Sequence, residues 1–369
     1  MMRNRQAALL ILPIAAMMLI PAAARAEVIT VGSGGDHTTV TAAVAAAASG
    51  DVIDIFAGTY TEIGISVDKN LTIQGNGARD TILQAAATPG SDAGRIFDSI
   101  GATVVLQNLT IQNGSSSTAG GAIAMSTGTL EAYNVTFKDN ETTSNQDGGV
   151  LEGAPSAFVT VENCLFEGNS ADDDGGVFGK KIDSLVIRNS TFSGNTAGAG
   201  DPSVLYAHNG GPVEITNSTF VGNGDTGNSK VIMGNTSSQV TVESCLFMDN
   251  DGFGDADVTN VTYSISDLVD DLPDHATNHD GVVPSLIALG ALADNGGQTD
   301  THALGANSFA IDKGSNPAGL ANDQRGPGYP RAVGQTDVGA FEVPEPATVG
   351  LIALGGVMLA ARGRRRRSC

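Results

Sequence analysis

The stretch that decides the fold runs from residue 158 to residue 169 and reads FVTVENCLFEGN. Its second half, Asn163 to Asn169, has the pattern Asn-x-x-Phe-x-x-Asn. This pattern occurs at four other places, although the last copy carries Ser244 instead of its first Asn. The Phe residues of the five copies, separated by 29, 26, 28 and 27 positions, are Phe137, Phe166, Phe192, Phe220 and Phe247. A repeat of this length is typical of a stacked solenoid, in which each unit contacts only its neighbours.

Each repeat has the features of a coil built from short strands. The alternation of Val159, Thr160 and Val161 is typical of a half-buried strand with its Val side chains inward. Asn suits the bends because it tolerates left-handed backbone. The 48 Gly and the Val/Thr strand pattern exclude stacked helix pairs. We therefore predict an all-β, right-handed parallel β-helix of about eight or nine coils, in which Phe stacks on Phe and Asn amides bond from coil to coil.

The chain before the strong repeats predicts a capped start of the solenoid. An Ala-rich run from Ala42 to Ala48, closed by Ser49 and Gly50, predicts one short helix that covers the first coil. Weaker repeats with Ile in place of Phe follow at Asn70 and Asn108. Residues 39–75 resemble the N-terminal coils of pectate-lyase-like and pectin-methylesterase-like β-helices. The later Phe-x-x-Asn and Gly-Gly units resemble the repeats of chlamydial polymorphic membrane proteins, and both resemblances imply the pectin lyase type of fold.

The repeat also predicts the state of two cysteines. Cys164 and Cys245 are 81 residues apart, which is three coils. At about 4.8 Å per coil their separation is roughly 14 Å, whereas a disulfide needs Cα atoms within about 7 Å. Both share the position after the first Asn of the repeat with small or apolar residues. We predict two free, buried thiols.

Beyond about Tyr263 the repeat fades and a second region begins. We place the solenoid at residues 27–265 and this region at residues 266–342, as an irregular cap on the C-terminal end. It resembles the choice-of-anchor Q domain, a family that joins β-helix surface proteins to their anchors. The segments that carry this resemblance are Asp294-Asn295-Gly296-Gly297, Thr301-His302-Ala303-Leu304, Ala310-Ile311-Asp312, Asp323-Gln324-Arg325-Gly326 and Asp337-Val338-Gly339-Ala340-Phe341-Glu342.

The N-terminal 26 residues have the features of a secretory signal peptide. Arg3 and Arg5 precede an apolar run, and Ala24 and Ala26 supply the small-x-small cleavage pattern. The run is short for a membrane anchor. We predict cleavage after Ala26 and an exported chain.

Residues 343–369 have the features of a second targeting segment. Pro344, Glu345 and Pro346 precede an apolar stretch, residues 347–361, and a terminal run of Arg. Fifteen helical residues span only about 22 Å, less than a bilayer core of about 30 Å. The three parts together resemble the PEP-CTERM sorting signals of Gram-negative bacteria. The resemblance implies an exosortase-type processing enzyme as partner, transient insertion of both chain ends in the inner membrane, and a destination at the cell surface or in the extracellular matrix.

The charge of the chain agrees with an exported particle. Removing the three Arg of the signal peptide and the five of the tail changes the formal net charge from −21 to −29. So acidic a surface repels nucleic acid and anionic membranes and favours divalent cations. It excludes a nucleic-acid partner and leaves open an extracellular polysaccharide or a cell-surface ligand.

A polysaccharide lyase requires a basic proton acceptor beside acidic groups. The nearest set is Lys180, Lys181 and Arg188 with the acidic run 172–174. Arg188, however, aligns with Glu162 and other polar residues of neighbouring coils, which indicates a solvated outward position. With no Trp and five Tyr, the chain also has few rings on which sugars could stack. We assign no catalytic residue.

Two segments of the sequence carry candidate metal ligands. The acidic loop with Asp249, Asp251, Asp255 and Asp257 places Asn260 where an EF-hand requires Glu, so that motif fails and only a loose Ca²⁺ site stays open. His275 and His279 are four residues apart, but Pro273 predicts a loop there and not a zinc-binding helix. His208 is a lone turn residue. We assign no metal and no cofactor, with Ca²⁺ as the open case.

The function favoured by the sequence is that of an exported β-helix protein with a structural or adhesive role. Two alternatives stay open. One is a polysaccharide-active, lyase-like enzyme on a face of the β-helix, and the other is a Ca²⁺-dependent adhesin. The sequence favours a non-enzymatic role without deciding the question.

Overall fold

The computed structural model describes residues 25–344, except for residues 92, 199–200, 208–210, 225–228, 236–238, 256 and 332–333. The predicted signal peptide, apart from Arg25 and Ala26, lies outside the described residues. So do Glu345, Pro346, the apolar stretch 347–361, the Arg run and His208. Among the helices within the described residues, none is long and apolar enough to cross a membrane.

Short strands follow one another along the chain, interrupted by one helix near each end. The elements up to the middle of the solenoid are β1 (Val28–Val31), α1 (Val40–Ala46), β2 (Val52–Ile55), β3 (Gly58–Thr61), β4 (Ile65–Val67), β5 (Leu71–Gly75), β6 (Thr81–Gln84), β7 (Phe97–Ile100), β8 (Thr103–Gln107), β9 (Thr110–Gln112), β10 (Ser115–Ser116), β11 (Ile123–Met125), β12 (Gly128–Tyr133), β13 (Thr136–Lys138), β14 (Glu141–Thr142) and β15 (Leu151–Glu152). The later elements are β16 (Ala157–Glu162), β17 (Leu165–Glu167), β18 (Ser184–Arg188), β19 (Thr191–Ser193), β20 (Leu205–Tyr206), β21 (Pro212–Thr216), β22 (Thr219–Val221), β23 (Ile232–Met233), β24 (Gln239–Glu243), β25 (Leu246–Met248), β26 (Asn260–Thr262), β27 (Ile265–Ser266), α2 (Pro284–Ile287), β28 (Leu289–Ala293) and β29 (Thr301–Leu304).

Among the described residues, three parallel sheets form the faces of a β-solenoid of about eight turns, which confirms the predicted fold class, and β10 pairs with β14 in a further short parallel ladder. Among the described strands, sheet 1 has the order β1-β2-β5-β8-β12-β16-β18-β21-β24-β26, and sheet 2 the order β3-β6-β9-β13-β17-β19-β22-β25-β27. Sheet 3 joins β4, β7, β11 and β15. It continues through a bridge at Phe178 to β20 and β23. Stacking in this way places equivalent residues of successive coils side by side.

The repeated Phe forms a continuous column inside the solenoid. Phe166 lies 4.9 Å from Phe137 and 4.6 Å from Phe192 between ring centroids, with interplanar angles of 7° and 4°. The column continues to Phe220 and Phe247 at 4.7 and 4.8 Å. These separations match the spacing of hydrogen-bonded strands, so the backbone ladder sets the ring stacking.

The two Asn of each repeat have different roles. The first occupies the left-handed region, with φ of 57° at Asn163 and 47° at Asn189, and so makes the bend between sheets 1 and 2. The second is fully buried and forms an amide ladder: the Nδ2 of Asn195 donates to Asn223 Oδ1 at 2.8 Å, and its Oδ1 accepts from Asn169 Nδ2 at 2.9 Å. The prediction of coil-to-coil amide bonds is therefore confirmed most fully for the second Asn.

The predicted N-terminal cap is present as α1. Its buried face carries Val40, Ala43 and Val44, which join the hydrophobic core. Glu62 accepts from the Val40 N–H at 2.7 Å, and Lys69 Nζ donates to the Ala47 carbonyl at 2.9 Å. A carboxylate at the N-terminus of the helix and an ammonium at its C-terminus both complement the helix dipole.

The chain after β27, called here the C-terminal segment (residues 267–344), covers more than the end of the solenoid. Its first part closes the end, where His279 and Ile265 form a bridge. The rest runs back along the outer face of sheet 2 and the bend between sheets 1 and 2. Its hydrogen bonds to the solenoid reach from Ser244 through Asn217, Asn189 and Cys164 to Arg79. The predicted cap is thus also a lateral brace across several coils.

The two cysteines of the solenoid are free and buried, as predicted. Burial raises the pKa of each thiol to about 12. Because the thiolate is the reactive form, we expect neither thiol to react with a maleimide or a disulfide reagent in the native protein. After denaturation both should react, and peptide mapping would assign the labels. Native labelling of Cys164 or Cys245 at the rate of a free peptide thiol would contradict this expectation.

Candidate functional site

A repeated Asp-Gly-Gly sequence places carboxylates side by side at one corner of the solenoid. Asp147 precedes Gly148 and Gly149, and Asp174 precedes Gly175 one coil later. The backbones of the two coils approach so closely that a Cβ at Gly149 would lie 2.3 Å from the carbonyl oxygen of Gly176. The Gly148 N–H donates to the Asp174 carbonyl at 3.0 Å, which keeps the two coils in register. Two like charges therefore lie on adjacent coils.

Lys180 lies among these carboxylates. Its ammonium forms an ion pair with Asp174 and lies 3.5 Å from Asp147 Oδ1 and 3.9 Å from Asp173 Oδ2. The ring centroid of Tyr206, from the next coil, is 5.4 Å from the same nitrogen. We call Asp147, Asp173, Asp174 and Lys180 the Lys180 cluster.

In the Lys180 cluster, the negative charge of three carboxylates is only partly neutralised by one ammonium group. Burial, which by itself would lower the pKa of Lys180, is outweighed by Asp174, Asp147 and Asp173, and the pKa is raised. Burial and the neighbouring carboxylates raise the pKa of Asp173 and of Asp201. The ammonium is thus charged at neutral pH, and the cluster keeps an excess of negative charge.

Glu152 borders the Lys180 cluster and is the least satisfied carboxylate nearby. Its side chain is only 8% exposed, its Oε1 lies 3.4 Å from Lys181 Nζ, and its buried Oε2 has no hydrogen-bond partner among the described residues. The carboxylate occupies space that the next coil leaves open at Gly179. A Cβ there would lie 2.1 Å from Glu152 Oε2 and 3.0 Å from Asp147 Cβ, so Glu152 and Asp147 are neighbours.

Glu152 makes the stability of the protein depend on pH. Burial raises its pKa to about 7 from an ordinary 4.5, against the lowering effect of Lys181, and Asp147 raises it further. The folded chain then holds this proton more tightly than the unfolded chain, so the stabilisation is full below pH 4.5 and is lost as the pH rises through 7. In chelator, we expect the melting temperature to fall between about pH 5 and 8 more in the wild type than in Glu152→Gln. The control Glu214→Gln, on sheet 1, should keep the wild-type slope, and equal slopes in all three proteins would contradict the assignment.

The structure separates the residues that come nearest to a lyase-like set in the sequence. Lys180 and Asp173 come together, whereas Asp172 accepts from the Asn145 N–H at 2.7 Å outside the cluster. Arg188 lies on sheet 1 beside Glu162 and Thr216, as the alignment of coils predicted, and pairs with a glutamate of the next coil at 3.5 Å. A lysine that accepts a proton needs a lowered pKa, and the pKa of Lys180 is raised. The arrangement therefore suits charge pairing and cation binding better than proton abstraction.

The other predicted positions have ordinary local roles. Asp255 accepts from the Gly234 N–H at 3.2 Å, and among the described residues the loop 249–257 does not bring three carboxylates together. His275 lies in a loop, where its Nδ1 is 2.7 Å from Thr277 Oγ1, and His279 lies edge-on to Phe309. The predicted absence of a helix at this His pair is confirmed.

A groove of about 270 Å³ opens between the outer face of sheet 2 and Gln298 and Asp300 of the C-terminal segment. Its lining includes Arg79, Gln112 and Lys138, together with the apolar side chains of Ile82 and Leu165. Both cations have a carboxylate partner, at 2.8 Å for the ammonium and 2.6 Å for the guanidinium. The groove thus offers amide groups and two cations that are already paired with Glu167 and Asp300, beside a small apolar surface.

The C-terminal segment holds the chain firmly up to the sorting motif. The Glu342 N–H donates to Asp323 Oδ2 at 2.8 Å, and the Val343 N–H donates to Asp337 Oδ2 at 2.7 Å. A fully buried arginine of the segment lies 3.7 Å from Glu342. Pro344 therefore follows the folded body without a spacer.

Some of the residues of this site were missed by the sequence reasoning. Asp147 and Glu152 were not singled out, and neither were Asp201 and Tyr206. The available signal was the recurrence of Asp-Gly-Gly after 27 residues, which places Asp147 beside Asp174 once the coils are aligned.

Comparison with known proteins gives one family match, at the C-terminus. Residues 342–367 match the PEP-CTERM protein-sorting motif, which indicates exosortase-dependent export to the envelope of a Gram-negative bacterium. No curated protein matches the chain.

Three of the solved structures that the chain resembles are pectin methylesterases. One, in complex with hexasaccharide VII, is 14% identical with a TM-score of 0.35, over 69% of this chain and 94% of that one. The enzyme from carrot is 18% identical with a TM-score of 0.32, over 58% and 82%. The deglycosylated enzyme from Aspergillus niger is 17% identical with a TM-score of 0.29, over 70% and 85%. A likeness this distant does not indicate what this chain acts on.

Proposed function

We propose that the chain is an envelope or matrix protein with a structural or adhesive role, displayed after export by way of its C-terminal motif. The observation that supports this most is the rigid connection at Glu342 and Val343, which places the braced solenoid directly before the sorting motif. Because no spacer separates the folded body from the sorting motif, the body lies close to the membrane at which the tail is processed. Its formal charge of −29, once the Arg of both ends are removed, would keep such bodies soluble and apart from anionic lipid.

The choice-of-anchor Q resemblance supplies the second part of the proposal. We propose that residues 266–342 act as an anchor-proximal unit that fixes the solenoid to the tail. The motif residues support this role, because Gln324 donates to the Cys164 carbonyl at 3.2 Å and accepts from Thr191 Oγ1 at 2.6 Å. Arg325 stacks on Phe341 at 3.7 Å from the ring centroid.

Replacing Pro344, Glu345 and Pro346 together by Ala tests the sorting step. In the host, we expect the variant to stay in the inner-membrane fraction while the wild type reaches the cell surface or medium, as measured by fractionation and surface labelling. The control is Pro273→Ala, because Pro273 lies in a loop of the C-terminal segment and outside the matched motif. Equal surface display of the triple variant and the wild type would contradict the proposed sorting.

The adhesive part of the proposal is tested by deleting the gene and measuring attachment and matrix cohesion. We expect both to fall and to be restored by the wild type but not by the triple variant. Normal attachment in the deletion strain would remove the adhesive role and leave only export.

A second candidate function is that of a polysaccharide-active enzyme, and the groove beside Arg79 and Lys138 is the observation that favours it. Arg79 and Lys138, once they exchange their carboxylate partners for the sugar, could hold an anionic glycan there together with Gln112. Incubating the purified protein with polyuronates and other acidic glycans would reveal unsaturated or shortened products if this candidate were correct. Unchanged glycans across the panel would exclude it in favour of the structural role.

A further inference from the structure

We propose that the Lys180 cluster, together with Glu152, is a site for a divalent cation of the hard, oxygen-binding class represented by Ca²⁺, and that the ammonium of Lys180 is a built-in competitor for that ion. The inference does not depend on the adhesive role, since it concerns only what this corner of the solenoid binds.

The spacing of the oxygens is the first argument. One carboxylate oxygen from each of Asp147, Asp173 and Asp174 lies within 4.8 Å of the other two. Oxygens bound to a shared Ca²⁺ at about 2.3–2.6 Å are at most about 5 Å apart. The three side chains could therefore coordinate one ion with little movement of the backbone.

Glu152 is the second and independent argument. Its side chain is 8% exposed and its buried Oε2 has no partner among the described residues. Glu152 Oε2 and Asp147 Cβ border the same open space above Gly179, so this oxygen lies at the edge of the Lys180 cluster. A buried carboxylate oxygen without a partner is costly, and a cation beside it would remove that cost.

The charge balance is the third argument. The ammonium of Lys180 carries one positive charge, against the three carboxylates of the cluster and the carboxyl group of Asp201 beside Asp174. A divalent ion would neutralise more of this charge than the ammonium does. For the ion to enter, Lys180 must break its ion pair with Asp174. Its ammonium can then keep a cation–π contact with the ring of Tyr206, whose centroid is 5.4 Å away.

Terbium luminescence tests the location of the site in the purified full chain. Tb³⁺ binds where Ca²⁺ binds, and its emission is sensitised by a nearby aromatic ring. The chain has no Trp, and of its five Tyr it is Tyr206 whose ring lies beside the Lys180 cluster, 5.4 Å from the ammonium. Tyr206 is therefore the expected sensitiser. We expect emission that added Ca²⁺ removes, and a loss of most of that emission in Tyr206→Phe, while calorimetry still detects Ca²⁺ binding. An absence of Ca²⁺-sensitive emission, or full emission from Tyr206→Phe, would overturn the proposal.

A pair of lysine variants tests the competition. Lys180→Met removes the competing ammonium, and we expect it to bind Ca²⁺ about tenfold more tightly or better, because an adjacent unit charge is lost. Lys138→Met makes the same change in net charge, at an ion pair on sheet 2, and should leave the affinity within about twofold. Equal affinities in the wild type and both variants would refute the competitor role.

Variants that remove the proposed carboxylate ligands test whether Ca²⁺ binds at the Lys180 cluster. The double variant Asp147→Asn with Asp174→Asn should lose at least about tenfold in Ca²⁺ affinity. Should this variant fail to fold, Glu152→Gln provides the same test with one change, and a several-fold loss is expected. Unchanged affinity in a folded ligand variant would place the ion elsewhere and contradict the proposal.

Discussion

Replacing Phe192 by Ala is expected to lower the free energy of unfolding by about 3–5 kcal/mol, as for other fully buried aromatic residues. The ring lies in the middle of the Phe column, 4.6 Å from Phe166 and 4.7 Å from Phe220, and Phe178 lies edge-on at 6.3 Å. Its removal would leave a cavity that the neighbours cannot fill, because the backbone ladder fixes the spacing of the coils. Denaturant unfolding followed by circular dichroism measures the loss.

The matched control for this prediction is Phe158→Ala. Phe158 lies on the outer face of sheet 1 and is 46% exposed. We expect its replacement to change the stability by about 0.5 kcal/mol or less. If both variants lost the same stability, the inward column would not be what stabilises the stack.

Replacing Asn195 by Ala is expected to lower the free energy of unfolding by about 3–5 kcal/mol, although only a small side chain is removed. The change leaves the Asn169 N–H and the Phe166 carbonyl without these partners in a buried place, and each such group costs about 1–3 kcal/mol. The amide ladder is also interrupted between Asn169 and Asn223. The same denaturant series measures this effect.

Asn260→Ala is the control for the ladder. The Asn260 amide donates to Thr241 Oγ1 at 2.8 Å, but this residue is exposed, so water can replace the bond. We expect a change of about 0.5 kcal/mol or less. A loss at Asn195 no larger than the loss at Asn260 would show that the ladder contributes little.

The solenoid could be predicted from the sequence because its signal is local and repeated. The Phe and the second Asn of each repeat point inward by geometry that every coil shares. The first Asn could not be assigned in the same way: Asn189 donates to the Asn322 carbonyl and Asn217 to the Ser315 carbonyl. These partners lie about a hundred residues away in an irregular segment, where no period indicates which residues meet.

The candidate site was only partly predictable for a related reason. Lys180 and Asp173 were recognised as a basic residue near acidic ones, because they are close in sequence. Glu152 became visible only once the register placed it opposite Gly179, since its burial depends on a missing side chain in the next coil. Arg188 was grouped with Lys180 because the two are close in sequence, yet Arg188 lies on sheet 1 and outside the Lys180 cluster.

The brace formed by the C-terminal segment also determines how the protein would respond to force. If the chain is held by its tail while a ligand or a neighbouring cell pulls on the solenoid, the load enters at Val343 and Glu342. From there it passes into contacts with several coils, including Thr219, which accepts from the Ala340 N–H at 2.9 Å. Several coils then share the tension at the same time, whereas a tail attached to the last coil would peel the strands away one after another.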